Sequence, residues 1–428
     1  MAYAEKRVST AKGSKGKVSW RARYKKPDGT WGSEPGFPTK KTAENWGDEQ
    51  EAAIRSGRWI DPDLMQTPFG VFARKWMASQ SPRGRTVMNR WERLDTHILP
   101  KWEHTPLIAF NWFDVDAWAR SLACAESTVK DCTGLLSLIL TGAVDAKYLS
   151  VNPLYGRRSS TNTSTATVPD QPTAGEVQQW APPEAVLQVA RRLGPVNGLL
   201  PLTTAFLGPR WGEGIGLHRA KTLLQRREPY NGGWFECPIL RIDVEVAEYV
   251  GRGSDGSKQG VVRRLEPPKN KWSVRDIDVP PFLADLLAGH LATWPHPYVF
   301  MTPSGTWWWR NSWWELMRPA ADGRPARPKA RGRAVKEAWD PIMHGMTMRR
   351  LRHTHDTYQA QIGVHPVLAF EQAGHRYPGI KGTYQHPTPK MRQQRLDGLQ
   401  EIFEQAMRNL GWRALWESED SAKCASQS

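Results

Sequence analysis

TMRRLRHTHDTYQAQIGVHPVLAFEQAGHRYPGIKGTYQH, running from Thr347 to His386, decides how this chain is read. Thr347 is a natural N-cap for a helix whose Leu351, Thr354, His355 and Tyr358 recur at intervals that share one buried face. Arg349 and Arg352 fall three residues apart, so both can project from one side, and Gly363 supplies the stop. The Gly374-His375 pair and Tyr384 follow at a fixed distance. A guanidinium on a rigid helix presents a planar fork that matches two non-bridging phosphate oxygens. His375 can then contribute a hydrogen bond or a proton, and the Tyr384 hydroxyl a nucleophile. No acidic metal-binding triad accompanies them, so in such a reaction the protein's own cations stabilise the charge. The set points to cutting and rejoining a DNA phosphodiester without a metal. An arginine pair alone has a plainer reading, a solvated helix face.

A phosphate clamp needs a second half, and Leu207 to Leu217, LGPRWGEGIGL, offers one. Arg210 stands at a glycine-rich helix start, with Glu213 one turn on to orient it. Glycines 208, 212, 214 and 216 allow close backbone approach. The competing reading is a surface Arg–Glu pair on a packing turn, worth little.

Bulk properties agree. The 428 residues predict two or three domains with ample core, and 59 Lys plus Arg against 43 Asp plus Glu give a formal charge of +16. That balance favours a polyanion, nucleic acid before membrane. Cys124, Cys132, Cys237 and Cys424 have no CxxC spacing, which argues against zinc ribbons and a disulfide framework and fits a reducing cytosol. No apolar run reaches membrane-spanning length, and the polar, basic N-terminus is no signal peptide.

Five segments are expected. Residues 1–62 read as a basic sheet-plus-helix module, in which Lys17–Tyr24 and Thr30–Pro35 are strands around the turn Pro27-Asp28-Gly29 and Thr39 caps a helix. Residues 68–156 read as a bundle of four or five helices, with Ser81–Arg93 as a candidate DNA face. Residues 157–174, rich in Ser, Thr and Pro, read as a strap between domains. Residues 175–410 mix helices with strands at Leu240–Tyr249, Val261–Pro267 and Val274–Val279. Residues 411–428 are a polar tail. Arg318–Lys336, with seven Lys/Arg against one Asp, reads as a basic surface loop. Trp307–Trp309 with Trp313-Trp314 read as core rather than a base-stacking platform.

Taken together, Gly-x-Arg-x-Gly-Glu before Leu217, the Pro268-Lys269 pair, Leu-Arg-His-Thr-His, Gly-His and Tyr384-x-His386 resemble the tyrosine recombinases of the phage-integrase type. The resemblance is direct over residues 195–390. It implies a multidomain, mainly α protein with small β-sheets: an arm-binding module, a helical core-binding bundle and a mixed α+β catalytic domain. It makes Arg210 and Arg352 the phosphate-binding arginines, Glu213 their supporting carboxylate and His375 the second histidine. Lys269 becomes the general acid to the leaving 5′-hydroxyl, with Lys271 a close rival. Tyr384 becomes the nucleophile that forms a 3′-phosphotyrosine, with Tyr377 a fallback. One residue departs from the pattern: Arg349 stands where the family's His-x-x-Arg would place histidine. A guanidinium there can donate hydrogen bonds to a phosphate but cannot receive the tyrosine proton.

The resemblance further implies an integrase of a phage or other mobile element, cytoplasmic and nucleoid-associated in a bacterial host. Its partners would be double-stranded DNA attachment sites, three further protomers in a homotetramer on synapsed duplexes, and accessory bending or directionality proteins. It would use no metal, ATP or other cofactor. Two other expectations stay open: a non-catalytic DNA-binding regulator that keeps the fold, motivated by Arg349, and a relaxing enzyme of the type IB topoisomerase kind.

Overall fold

The computed structural model describes residues 2–8, 16–157, 180–328, 335–379 and 384–416. It divides into two compact units, residues 1–168 with 249–261 and residues 169–248 with 262–428.

The first unit begins with an antiparallel sheet, β1 (Tyr3–Val8), β2 (Val18–Lys25) and β3 (Trp31–Phe37), in the order β1-β2-β3. The predicted hairpin is β2–β3, closed where Asp28 Oδ1 accepts the Thr30 N–H at 2.9 Å. Strand β1 is an addition to that expectation: its mostly exposed, charged side chains leave no alternation to read. Strand β3 continues through Pro35, which has no N–H to pair. The register slips there, Trp20 lying opposite Phe37 and Ala22 opposite Glu34. Helix α1 (Lys40–Arg55) starts at Thr39, whose Oγ1 accepts the Thr42 N–H at 3.2 Å. It covers the sheet through buried Ala43, and the Tyr24 ring meets Trp46 and Trp59 edge-on at 5.5 and 6.1 Å.

Helices α2 (Pro62–Met65), α3 (Phe69–Ser79), α4 (Gly84–Arg93), α5 (Leu99–Trp102), α6 (Trp112–Ser121) and α7 (Glu126–Asp145) follow. Their apolar stripes meet in one core that includes Phe69, Trp91, Leu94, Ile98, Leu136 and Ile139. Asn152 closes the block by donating to the Ser137 carbonyl and Thr141 Oγ1 at 3.0 and 2.9 Å.

In the second unit, α8 (Pro183–Asn197) and α9 (Leu199–Leu207) lead into α10 (Trp211–Ile215). Every residue of α9 is buried, as its apolar LLPLTTAFL sequence requires of a central helix. Strands β4 (Thr222–Tyr230), β5 (Gly233–Ile242) and β8 (Arg275–Asp278) form the sheet β4-β5-β8, and β6 (Glu245–Arg252) pairs with β7 (Lys258–Glu266) in a hairpin whose residues 249–261 count with the first unit. Helices α11 (Pro281–Thr293), α12 (Arg310–Asp322), α13 (Met348–Gln361), α14 (Pro366–Ala373) and α15 (Pro389–Asn409) complete it. Helix α13 is capped by Thr347 and packs on α9, with Phe206 and Tyr358 rings 5.4 Å apart. Its Tyr358 hydroxyl donates to the Ala181 carbonyl at 2.8 Å.

Some expectations need correction. Leu240–Tyr249 is not one strand: β5 ends at Ile242 and β6 starts at Glu245, because Lys221 holds Asp243 at 2.6 Å and the chain changes sheets there. Alternation survives such a break, since period two does not say which strand is the partner. Arg318–Lys336 is not simply a loop. Residues 318–322 finish α12, and Arg324 and Arg327 bridge to Trp339 and Lys336. Trp313 does lie in the core with Trp307 and Trp308 against it, whereas Trp309 is 43% exposed beneath the Arg263 guanidinium. Most of the expected strap, residues 158–174, and the tail from residue 417 lie outside the described residues.

Candidate active site

Four of the residues singled out in the sequence converge, and two backbone turns make that possible. Helix α9 ends at Gly208, whose φ of +70° lies in the left-handed region. A Cβ there would sit 2.5 Å from the His355 ring, so only glycine fits both the turn and the contact. The turn delivers Arg210 to the start of α10. There Glu213 accepts the Arg210 backbone N–H through Oε2 and its guanidinium through Oε1, both at 2.8 Å. The second turn is Gly374, at φ +68°, which ends α14 and sends His375 back toward α13.

Arg352 reaches this junction from α13. Its Nη1 donates to the Gly208 carbonyl and its Nη2 to the Ala373 carbonyl at 2.6 Å. Nη2 also lies 3.2 Å from His375 Nε2. Both carbonyls belong to helix C-terminal ends, where main-chain oxygens lack intrahelical partners and the helix dipole favours a cation. The arginine's direction is therefore set by main chain on two sides.

Sequence reasoning missed Arg275. This β8 residue lies opposite Ile242 of β5, and its side chain is 2% exposed. Its Nη2 donates to Glu213 Oε2 at 3.0 Å, its Nε to the Gln372 carbonyl at 2.8 Å and its Nη1 to the Ser273 carbonyl at 2.9 Å. The available signal was an arginine inside the apolar alternation of a strand, a position that burial permits only with partners.

The electrostatics follow from two guanidiniums, Arg210 and Arg275, paired with one buried carboxylate, and from a third, Arg352, close enough to feel them. Burial alone would raise the Glu213 carboxyl, but Arg275 and Arg210 override it and hold it down to about 2. Burial, then repulsion from Arg210, lowers Arg352 to about 10, leaving it charged at neutral pH. Burial, Arg352 and Arg210 together push His375 below its ordinary value, so its imidazole is neutral at pH 7. The fully buried His355 is driven well below its ordinary range by burial and by Arg395, Arg352 and Arg275, which suits a packing role.

The remaining candidates stand apart. Lys269 and Lys271 are exposed in the loop and single 3-10 turn between β7 and β8, not on a strand, and the Lys271 ammonium lies 5.0 Å from the Trp272 ring. Arg349 is exposed one turn before Arg352. Tyr384 is 75% exposed. Among the described residues, no hydrogen bond or ion pair ties Lys269, Arg349 or Tyr384 to the arginine cluster. Tyr377 packs its ring against Phe370 at 5.2 Å.

No protein-family model matches the chain. Among curated proteins it is similar to integrases of two Mycobacterium tuberculosis strains, provisionally named prophage phiRv2 integrase. Each is 25% identical over 381 residues, covering 86% of this chain and 88% of the relative. Among solved structures it resembles the Tn1549 transposon integrase in complex with transposon right end DNA, at 15% identity and a TM-score of 0.51. The same integrase in complex with a circular intermediate DNA gives 15% identity and a TM-score of 0.53. Each of these matches covers 79% of this chain and 99% of the solved one.

Proposed function

We propose that this chain, which belongs to the tyrosine recombinase family, is a site-specific DNA recombinase that integrates or excises a mobile element through a 3′-phosphotyrosine intermediate. The observation that carries the reading is the cluster of Arg210 and Arg275, both paired with the Glu213 carboxylate, with Arg352 near them and exposed His375 at its edge. Like charges this close repel, and a phosphate entering between them relieves that repulsion while its own charge is neutralised.

In the proposed reaction, Arg210 and Arg352 bind the non-bridging oxygens of the scissile phosphate. Tyr384 Oη bonds to phosphorus as the P–O5′ bond breaks. An ordinary tyrosine ionises near 10, so its oxygen attacks readily only where cations stabilise phenolate and phosphorane. Neutral His375 is the group that can take up the tyrosine proton, a role closed to Arg349. Lys269, with Lys271 as its rival, protonates the departing 5′-oxygen. A second strand's 5′-hydroxyl then attacks the phosphotyrosine and releases Tyr384, so bonds balance without ATP. The duplex attachment sites, the four-protomer assembly and the contributions of β1–β3 and α3–α7 to DNA binding belong to the same proposal.

The test is covalent capture on DNA nicked near the crossover, so that the cut fragment escapes, with wild type and Tyr384→Phe compared on a denaturing gel in excess EDTA. A protein–DNA band present only in wild type is expected. Its persistence in the variant moves the nucleophile, to Tyr377 first, and its loss on chelation removes the metal-free mechanism. Exposed Arg349 favours a second reading, a DNA-binding regulator without catalysis, which predicts binding and no band from either protein.

A further inference from the structure

Arg275 has no role in the reaction as written, yet its geometry couples the two halves of the grip. On one side it donates to the Glu213 oxygen that also accepts the Arg210 backbone N–H. On the other it donates to the Gln372 carbonyl, the neighbour of the Ala373 carbonyl that anchors Arg352. Gly374 lies directly over it, since a Cβ there would sit 2.7 Å from Nη1. With its side chain 2% exposed and each of its nitrogens engaged internally, Arg275 is not presented to a ligand.

We propose that Arg275 is a positioning residue that fixes the separation of Arg210 and Arg352, so that both fork onto one phosphate. The proposal rests on reading those two arginines as the phosphate grip. Three acceptors lie around one planar group, on β8's own approach, on α10 and at the end of α14. A lysine keeps the charge, but its single ammonium cannot reproduce that planar spread of donors. Loss of the tie loosens a geometry that matters only when the phosphate must be held for attack, so rate suffers more than affinity.

The experiment uses the full chain with Arg275→Lys, Glu213→Gln and the double variant. Single-turnover covalent capture at saturating DNA is read beside equilibrium affinity and the NMR titration of His375. Arg275→Lys is expected to slow capture at least tenfold with affinity within twofold, and to move the His375 titration although charge is conserved. The double variant should be no slower than Glu213→Gln alone, because both changes cut the same link. A rate within twofold of wild type, additive losses, or affinity falling in step with rate overturns the proposal. If wild type itself forms no covalent complex, the recombinase reading fails separately. The His375 titration then decides Arg275, an unmoved midpoint overturning it. If Arg275→Lys does not fold, Glu213→Gln carries the same comparison of rate with affinity, and an unchanged rate overturns the tie.

Discussion

Gly208→Ala asks one methyl group to break the site. Two costs can be worked out separately. Holding a non-glycine residue at φ +70° costs roughly 1–2 kcal/mol. The new Cβ would also lie 2.5 Å from His355 Cδ2 and 3.0 Å from Cγ, and that ring is fully buried with no room to swing aside. Overpacking of this kind costs about 1–3 kcal/mol. The sum, about 2–5 kcal/mol, corresponds to a melting point lowered by roughly 4–20 °C for a unit of this size. The chain can reduce the penalty by shifting the 208 carbonyl, but that oxygen is one of Arg352's two main-chain anchors. A displacement near 1 Å at a phosphate-binding group costs on the order of 100-fold in rate. Urea unfolding and single-turnover capture of nicked DNA measure the two effects. A variant that unfolds within 1 kcal/mol of wild type and captures DNA at the wild-type rate would refute the reasoning.

Tyr384→Phe removes a hydroxyl from a side chain that is 75% exposed, so its unfolding free energy should stay within about 0.5 kcal/mol while covalent capture disappears. A destabilised variant would mean that the hydroxyl has a structural partner. The capture rate should be flat near neutral pH and fall on acidification with a midpoint below 6.5, because protonating His375 adds a cation beside Arg352 and Arg210 and removes the proton acceptor. A midpoint at or above 6.5 contradicts that assignment. Asp278→Asn should cost about 3–5 kcal/mol in urea unfolding, since the buried carboxylate accepts from Arg226 at 2.7 Å and from Arg392 at 2.8 Å, and both would be left beside a neutral amide. A loss under about 1 kcal/mol would show that water reaches these arginines.

Much of the second unit's logic was legible because it lay in short, ordered motifs. Thr347 announced α13, the spacing of Leu351, Thr354, His355 and Tyr358 gave its buried face, and Gly363 marked the stop that follows it. The β4–β5 hairpin was overlooked although Tyr230-Asn231-Gly232-Gly233 signals it. Asn231 and Gly232 both adopt positive φ, 49° and 76°, as a tight hairpin turn requires. The pairings of Arg275 and Asp278 were out of reach for another reason. Their partners on α10, α14 and α15 are distant in sequence, and no periodicity records which buried charge will meet which. Lys269 and Lys271 fall between the two expected strands, where Asn270 caps a 3-10 turn and both lysines are exposed.

The anchoring of Arg352 by the carbonyls of Gly208 and Ala373 bears on how the protein can change over time. A point mutation deletes a side-chain acceptor outright, but every residue type carries a carbonyl. The most exacting guanidinium in the cluster is thus indifferent to the identity of most surrounding side chains and sensitive to the path of the chain at two glycines. Mutational drift in that neighbourhood is tolerated wherever the path survives. A redesign that alters which DNA sequence is bound could replace other residues around Arg352, provided positions 208 and 374, the Arg275–Glu213 tie and the reacting side chains are left alone.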